Sequence, residues 1–239
     1  MVRWLPLESN PDVRLNLFVN NLGLKPSWSF VDVIGLDPEL LAMIPQPACA
    51  LLLLFPTSDK YQEFKKEQED KVLKNGQEVS PNVYFMKQTI GNACGTVAII
   101  HSIANNTDVL ELEEGFLKRF IESTKSLSPE EKGAKLESDE NISEAHEACA
   151  QEGQTETPSA EDHVDLHFVA IVHKDGSLYE LDGRKSFPIN HGKTSKDTFL
   201  QASGFSGRNN SVFSVTTMNR REYQVFAPGI CGEKAIFIF

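Results

Sequence analysis

Residues 93–104, Ala-Cys-Gly-Thr-Val-Ala-Ile-Ile-His-Ser-Ile-Ala, constrain the fold more than any other part of the chain. They are almost wholly apolar and long enough for about three helical turns. A helix that is apolar all round has no face to offer water, so the remaining elements must enclose it. Residues 48–55, Ala-Cys-Ala-Leu-Leu-Leu-Leu-Phe, form the longest continuous apolar run. That run falls far short of the roughly 20 residues that cross a bilayer, and it fits a central strand covered on both faces. A buried helix against a buried strand sets the core.

At 239 residues the chain can bury one such core as a single domain. Twenty-three Lys plus Arg against 34 Asp plus Glu leave a net charge of −11. That balance argues against nucleic acid or an anionic membrane as the main partner and suits a basic one. The first residues carry no apolar stretch of signal-peptide length, so a cytoplasmic protein is expected. Cysteines 49, 94, 149 and 231 are then expected as thiols, and no two of them have the two- or four-residue spacing of a zinc pair, so no metal or other cofactor is expected.

The pattern of elements predicts an α+β fold with a largely antiparallel sheet flanked by helices. Asn10-Pro11 opens a first helix that ends at Gly23, and Asp37-Pro38 opens a second. Residues 28–33 read as a strand, 58–74 as a charged, solvated helix stopping at Asn75-Gly76, and 82–86 as a short strand. Asn92 is expected to cap the apolar helix. Two or three amphipathic helices follow between 111 and 150, one of them started by Ser128-Pro129-Glu130-Glu131. Residues 123–163 hold eleven acids against three lysines, and their polar end, 151–162, reads as a loop. Strands resume at 165–172 and 177–182 around Asp175-Gly176, the strongest hairpin signal in the chain.

Cys94 stands in the first turn of the buried helix. Free backbone N–H groups and the helix dipole favour an anion there, so the thiol can be partly ionised at neutral pH. The alternative, a small apolar residue that lets the helix pack closely with help from Gly95, stays open on these facts. A thiol nucleophile needs a base. His101 is roughly 10 Å further along the same helix, His146 lies on an acidic helix, His163 in the polar loop, and His191 in a turn-like stretch with no evident orienting acid. His167, by contrast, enters an apolar strand. With a two-residue turn, Lys174 pairs with Ser177, which puts His167 opposite Arg184 and Asp182 opposite Val169. His167 and Asp182 are then diagonal neighbours on one face, about 7–8 Å or less apart at Cβ, close enough for a hydrogen bond. Gln88 precedes Cys94 across a Gly-containing turn, from which its amide could reach the helix N-terminus as an oxyanion donor.

With these residues in view, Tyr84-Phe85-Met86-Lys87-Gln88-Thr89-Ile90-Gly91-Asn92-Ala93-Cys94-Gly95-Thr96 resembles the nucleophile segment of the ubiquitin carboxyl-terminal hydrolases. Val164-Asp165-Leu166-His167-Phe168 and Leu178-Tyr179-Glu180-Leu181-Asp182-Gly183-Arg184 resemble that family's histidine and aspartate segments, and Arg3-Trp4-Leu5-Pro6-Leu7-Glu8 and Phe30-Val31-Asp32-Val33 also match. The resemblance is to the small cytosolic isozymes and covers about residues 1–200. It implies a papain-like cysteine peptidase fold and hydrolysis of amide, ester or thioester adducts at the C-terminal glycine of ubiquitin. By residue match Gln88 is the oxyanion residue, Cys94 the nucleophile, His167 the base and Asp182 its partner. The implied partner is ubiquitin, or a ubiquitin-like modifier, bound by a monomer, and residues 151–163 correspond to a crossover loop that filters substrates by size.

Residues 201–239 depart from the family pattern. Two glycines and two asparagines within 201–210 oppose the expected helix, and 211–217 and 235–239 are strand-like without matching the family's last segment. The expectation is a poorly stable, weakly active or silent ubiquitin-binding form, unless 235–239 takes the place of the family's final strand. A redox-responsive thiol protein is the other rival reading.

Overall fold

The structure, a computed structural model, describes residues 2–7, 15–33, 38–151, 165–204 and 234–238. The described elements run α1 (Asn16–Asn21), β1 (Phe30–Asp32), α2 (Pro38–Leu41), β2 (Ala50–Pro56), α3 (Asp59–Asn75), α4 (Cys94–Ala104), α5 (Phe116–Thr124), α6 (Pro129–Glu137), α7 (Glu140–Gln151), β3 (Leu166–Lys174), β4 (Ser177–Leu181), β5 (Ile189–Lys193), α8 (Phe199–Gly204) and β6 (Lys234–Ile238). The six strands form one sheet in the order β1-β6-β2-β3-β4-β5, with every neighbouring pair antiparallel.

The sheet separates two apolar layers. Every residue of α4 is buried, and the helix packs on β2 and β3. Together with Phe18 and Val19 of α1, Leu117 and Phe120 of α5, and Phe168, Ala170 and Val172 of β3, it makes the larger core. The opposite layer joins Leu51, Phe55, Val169, Ile171 and Leu178 to Leu41 of α2, Tyr61 of α3 and Phe199 of α8. Alternate residues of β3 enter different layers, as the period of a strand requires. The close approach of α4 depends on Gly95, where a Cβ would stand 3.2 Å from Leu7 Cδ1 and 3.3 Å from Phe168 Cδ2.

The hairpin register is as the turn predicts, with Lys174 opposite Ser177 and Ala170 opposite Leu181. Asp175 and Gly176 both have positive φ, 47° and 77°, the conformation that matches the twist of the strands. The ladder ends at Leu181, so Asp182 lies just beyond it and His167 and Arg184 are not paired. Ser128 forms a full capping box with Glu131. Three helices fill 111–150.

Six expectations need correction. Residues 82–86 are not a strand. Their backbone instead bonds to α4 and its end, Tyr84 N donating to Asn105 Oδ1 at 2.8 Å and Met86 N to His101 Nε2 at 3.0 Å. Asn92 is not the cap of α4: it has φ 62°, Ala93 occupies the cap position without a side-chain bond, and Cys94 is the first helical residue. α3 is not wholly solvated, because Tyr61, Phe64 and Gln68 are buried along one side. His146 is buried in spite of the acidic helix that carries it, and His191 stands in β5 with an acid beside it. Residues 201–204 are helical, as the last turn of α8, because Phe199 and Leu200 bury their side chains and Gly204 falls at the helix end, where glycine is tolerated.

Lys234–Ile238 pairs with β1 on one side and β2 on the other. The strand-like residues at the end of the chain therefore occupy an interior position of the sheet. The helix start at Asn10-Pro11, the Asp37 cap, the predicted loop 151–162 beyond Gln151, which is the last residue of α7, together with His163, and the strand-like 211–217 lie outside the described residues.

Candidate active site

α4 brings Cys94 to the end of β3 that carries His167. The thiol is at N1 of the helix, where backbone N–H groups have no intrahelical acceptor. Its approach is fixed from three sides. Trp4 N donates to Gly91 O at 2.9 Å and Gly91 N to Val2 O at 2.8 Å, so the N-terminal segment holds the turn before the helix. Lys87 N donates to Pro129 O at 2.9 Å, tying that turn to α6. Gln88 N donates to Gly183 O at 2.9 Å, which joins the nucleophile segment to the aspartate segment. Gly183 permits this contact, since a Cβ there would lie 3.0 Å from both Gln88 Cβ and Val97 Cγ1.

His167 and Asp182 are both fully buried and bonded, Nε2 to Oδ1 at 2.8 Å. A carboxylate only accepts, so Nε2 carries the proton, and Nδ1 is left buried without a hydrogen-bond partner of its own. Asp182 is itself held. Arg184 N donates to Oδ1 at 2.8 Å, and the Tyr61 hydroxyl donates to Oδ2 at 2.8 Å.

The electrostatics oppose burial and overcome it. Burial pushes the Cys94 thiol up, but its interaction with His167, helped by the Phe168 backbone and Arg184, brings it below its ordinary value. Burial pushes the imidazole of His167 down, and Asp182 and Cys94 together raise it above the ordinary value. Asp182, also opposed by burial, is held far below the carboxylate range by His167, Lys185 and the Arg184 N–H. The arrangement favours a thiolate beside an imidazolium.

Gln88 donates from Nε2 to Ile90 O at 3.0 Å, and its Oε1 is buried without a partner. The four residues singled out in the sequence thus gather where the start of α4 meets the end of β3. The other described histidine candidates do not join them. His101 accepts from Met86 N, and His146 lies between Thr96 Oγ1 at 2.7 Å and Leu5 O at 2.6 Å. His191 bonds to Glu180 Oε2 at 2.8 Å. Sequence reasoning missed Tyr61. The signal available was the spacing of Tyr61, Phe64 and Gln68, one helical stripe within a charged segment.

A buried helix that presents a cysteine at its start, against an antiparallel sheet that presents a histidine and an acid, is the papain-like arrangement of a cysteine peptidase. The family model for ubiquitin carboxyl-terminal hydrolase, family 1, matches residues 4–205. A ubiquitin carboxyl-terminal hydrolase of Aplysia californica is 54% identical over 201 residues, covering 83% of this chain and 90% of its own length. One from Drosophila melanogaster is 50% identical over 201 residues, covering 84% and 87%. Isozyme L1 of Equus caballus is 51% identical over 197 residues, covering 82% and 86%. Among solved structures, the Trichinella spiralis UCH37 catalytic domain bound to ubiquitin vinyl methyl ester superposes with a TM-score of 0.68 at 20% identity, over 99% of this chain and 95% of that one. The chain belongs to the ubiquitin carboxyl-terminal hydrolase family, a family of cysteine peptidases.

Proposed function

We propose that this protein releases ubiquitin from adducts at its C-terminal glycine through Cys94, with His167 as general base and acid, Asp182 as the group that orients His167, and Gln88 as an oxyanion donor. The observation that carries the reading is the imidazole of His167, tied to Asp182 through Nε2 with Nδ1 left to interact with the Cys94 thiol. Family membership supports the substrate.

The thiolate attacks the carbonyl carbon of the glycine, and the carbonyl electrons move to oxygen. The Cys94 backbone N–H, without an intrahelical acceptor, and the second Nε2 hydrogen of Gln88 are available to that oxyanion. Its collapse expels the amine, alcohol or thiol, which takes a proton from His167, and leaves a thioester on Cys94. His167, now neutral, removes a proton from water as the water attacks the thioester, and the thiolate departs with ubiquitin freed as a carboxylic acid.

We assign residues 1–200 to the catalytic domain and 201–239 to a divergent C-terminal segment. Lys234–Ile238 pairing between β1 and β2 favours an active enzyme over a silent ubiquitin-binding form. A monomer working in the cytoplasm, within ubiquitin-dependent protein turnover, suits the buried thiols Cys49, Cys94 and Cys149 and the absence, among the described residues, of a helix able to cross a membrane. The acidic net charge of −11 suits the basic tail of ubiquitin and predicts salt-sensitive association. Ubiquitin bearing a C-terminal electrophile should become covalently attached to Cys94, and Cys94→Ala should bind ubiquitin without hydrolysing its ester. Binding without an adduct on Cys94 would establish the silent form instead, and ester turnover persisting in Cys94→Ala would refute the assignment of the nucleophile.

A further inference from the structure

Helix α3 was expected to be a solvated surface element, yet one of its sides is bonded along its length to the segment that carries Asp182. Tyr61 OH donates to Asp182 Oδ2 at 2.8 Å and Lys65 Nζ to Arg184 O at 2.7 Å. Gln68 Oε1 accepts from Lys185 Nζ, and Glu69 Oε1 accepts from Ser186 N at 2.7 Å. Positions 61, 65, 68 and 69 are spaced by four, three and one, which is a single stripe of an α-helix. The contacts are 117 to 121 residues apart in the chain, so helix regularity aligns the donors and acceptors and no local turn is involved.

Of these four contacts Tyr61 alone touches the Asp182 carboxylate. Oδ1 already receives His167 Nε2 and Arg184 N, whereas Oδ2 receives Tyr61. The phenol is buried at 5% exposure, and its ring packs against Phe55 at 4.7 Å between centroids and lies 6.4 Å from the ring of His167. Without the hydroxyl, a buried carboxylate oxygen loses its donor, and a buried unmet acceptor reorients toward whatever donor is near. The groups close enough to draw it are His167 itself and Lys185, whose charge already acts on Asp182. His101, on α4, is held neutral and offers no charge. Any such turn takes Oδ1 off the line of the His167 N–H.

We propose that Tyr61 is a positioning residue of this active site: its hydroxyl fixes the carboxylate of Asp182, and through it the imidazole of His167, with the α3 stripe as the clamp that holds hydroxyl and carboxylate in register. The proposal rests on the reading of Cys94, His167 and Asp182 given above.

The test is a double-mutant cycle of Tyr61→Phe and Asp182→Ala, read by turnover of a ubiquitin C-terminal ester and by the pH profile of Cys94 alkylation with iodoacetamide. Tyr61→Phe keeps the ring and its packing. It should lower kcat about tenfold with KM unchanged, and it should move the acid limb of the alkylation profile upward by about half a pH unit, because a less firmly held imidazolium stabilises the thiolate less. In the Asp182→Ala background the same change should cost nothing further, since Tyr61 acts only through that carboxylate. A kcat loss without movement of the alkylation limb, or an equal loss in both backgrounds, would mean a merely structural tyrosine and overturn the proposal. So would parent turnover in Tyr61→Phe while Asp182→Ala is slow. Parent turnover in Asp182→Ala would overturn the reading of the site itself, and the proposal with it.

Discussion

Two histidine–carboxylate pairs stand a few residues apart around β4. His167 bonds to Asp182 at 2.8 Å, and His191 bonds to Glu180 at the same distance. All four residues are buried. Glu180 and Asp182 are two positions apart, so they project to the same side of the strand line. What differs is the third group. Beside the first pair stands a thiol at a helix start, drawn below its ordinary pKa. Beside the second stands the Lys185 ammonium, bonded to Glu180, which together with His191 pulls that carboxyl down to about 2 against the push of burial. One pair is left with a nucleophile to act on, and the other is closed by a cation. A buried imidazole–carboxylate pair is therefore not in itself a sign of catalysis, and the chemistry depends on what the free side of the pair faces.

The largest expected effect comes from breaking the first pair. His167→Gln should lower turnover of a ubiquitin ester by about 10²–10⁴-fold, the range for loss of a general acid–base group. Asp182→Asn should cost less, since the aspartate orients the base and transfers no proton. Steady-state kinetics on the two variants decide the matter, and a larger loss for Asp182→Asn would reverse the roles.

Breaking the second pair should show as stability. Glu180→Ala leaves Lys185 buried without its counter-ion, a defect that costs about 3–5 kcal/mol. Because Lys185 N also bonds to Asp182 O at 2.9 Å, turnover of the folded fraction should fall a few-fold. Denaturant unfolding alongside kinetics tests this, and a catalytic loss matching that of His167→Gln would erase the distinction between the pairs.

A third kind of buried histidine sharpens the comparison. His101 accepts a bond from Met86 N, so its Nε2 carries no proton, and His146 must donate to Leu5 O while accepting from Thr96. Both are neutral, and burial lowers each pKa to about 4. Unfolding returns them to the ordinary value of about 6.5, so between those values the unfolded chain binds more protons and stability rises with pH. Stability should be full above about pH 6.5 and fall toward pH 4 by up to about 3 kcal/mol for each histidine. His167, whose pKa is raised, contributes in the opposite sense, its share being lost as pH rises through the folded value. Unfolding midpoints measured from pH 4.5 to 7 that stay flat would show that His101 and His146 are protonated in the folded state.

The contrast between the pairs also marks what the sequence could reveal. Composition alone identified α4 as enclosed, and the Asp175-Gly176 turn fixed the register that sets His167 near Asp182, because both rest on local rules. The strand predicted at 82–86 failed because its backbone groups are bonded to Asn105, beyond the end of α4, and to His101, partners that no local pattern shows. His191 appeared to lack an acid because Glu180 reaches it only once β5 pairs with β4, through a register that shifts between Ser177 and Tyr179. Tyr61 was hidden by the charges around it. The interior place of Lys234–Ile238 depends on β1 and β2, far away in sequence.

The smallest effect should come from His191→Gln. The imidazole Nε2 donates to Glu180 Oε2, and Gln68 Nε2 approaches the same oxygen at 3.4 Å. A glutamine at 191 can still offer an N–H, and Lys185 still neutralises Glu180 from the other oxygen. What is lost is one hydrogen bond to a charged acceptor, worth about 1.5–3 kcal/mol if nothing replaces it and about 1 kcal/mol or less if the new amide reaches Glu180. Ester turnover should stay within about twofold of the parent, because Asp182 keeps its own donors, His167, Arg184 N and Tyr61. The same replacement, histidine to glutamine, thus probes two buried imidazoles with equal bond lengths and opposite surroundings. If His191→Gln slowed turnover as His167→Gln does, with unfolding free energy little changed, the second pair would be part of the proton path and its closure by Lys185 would be the wrong reading.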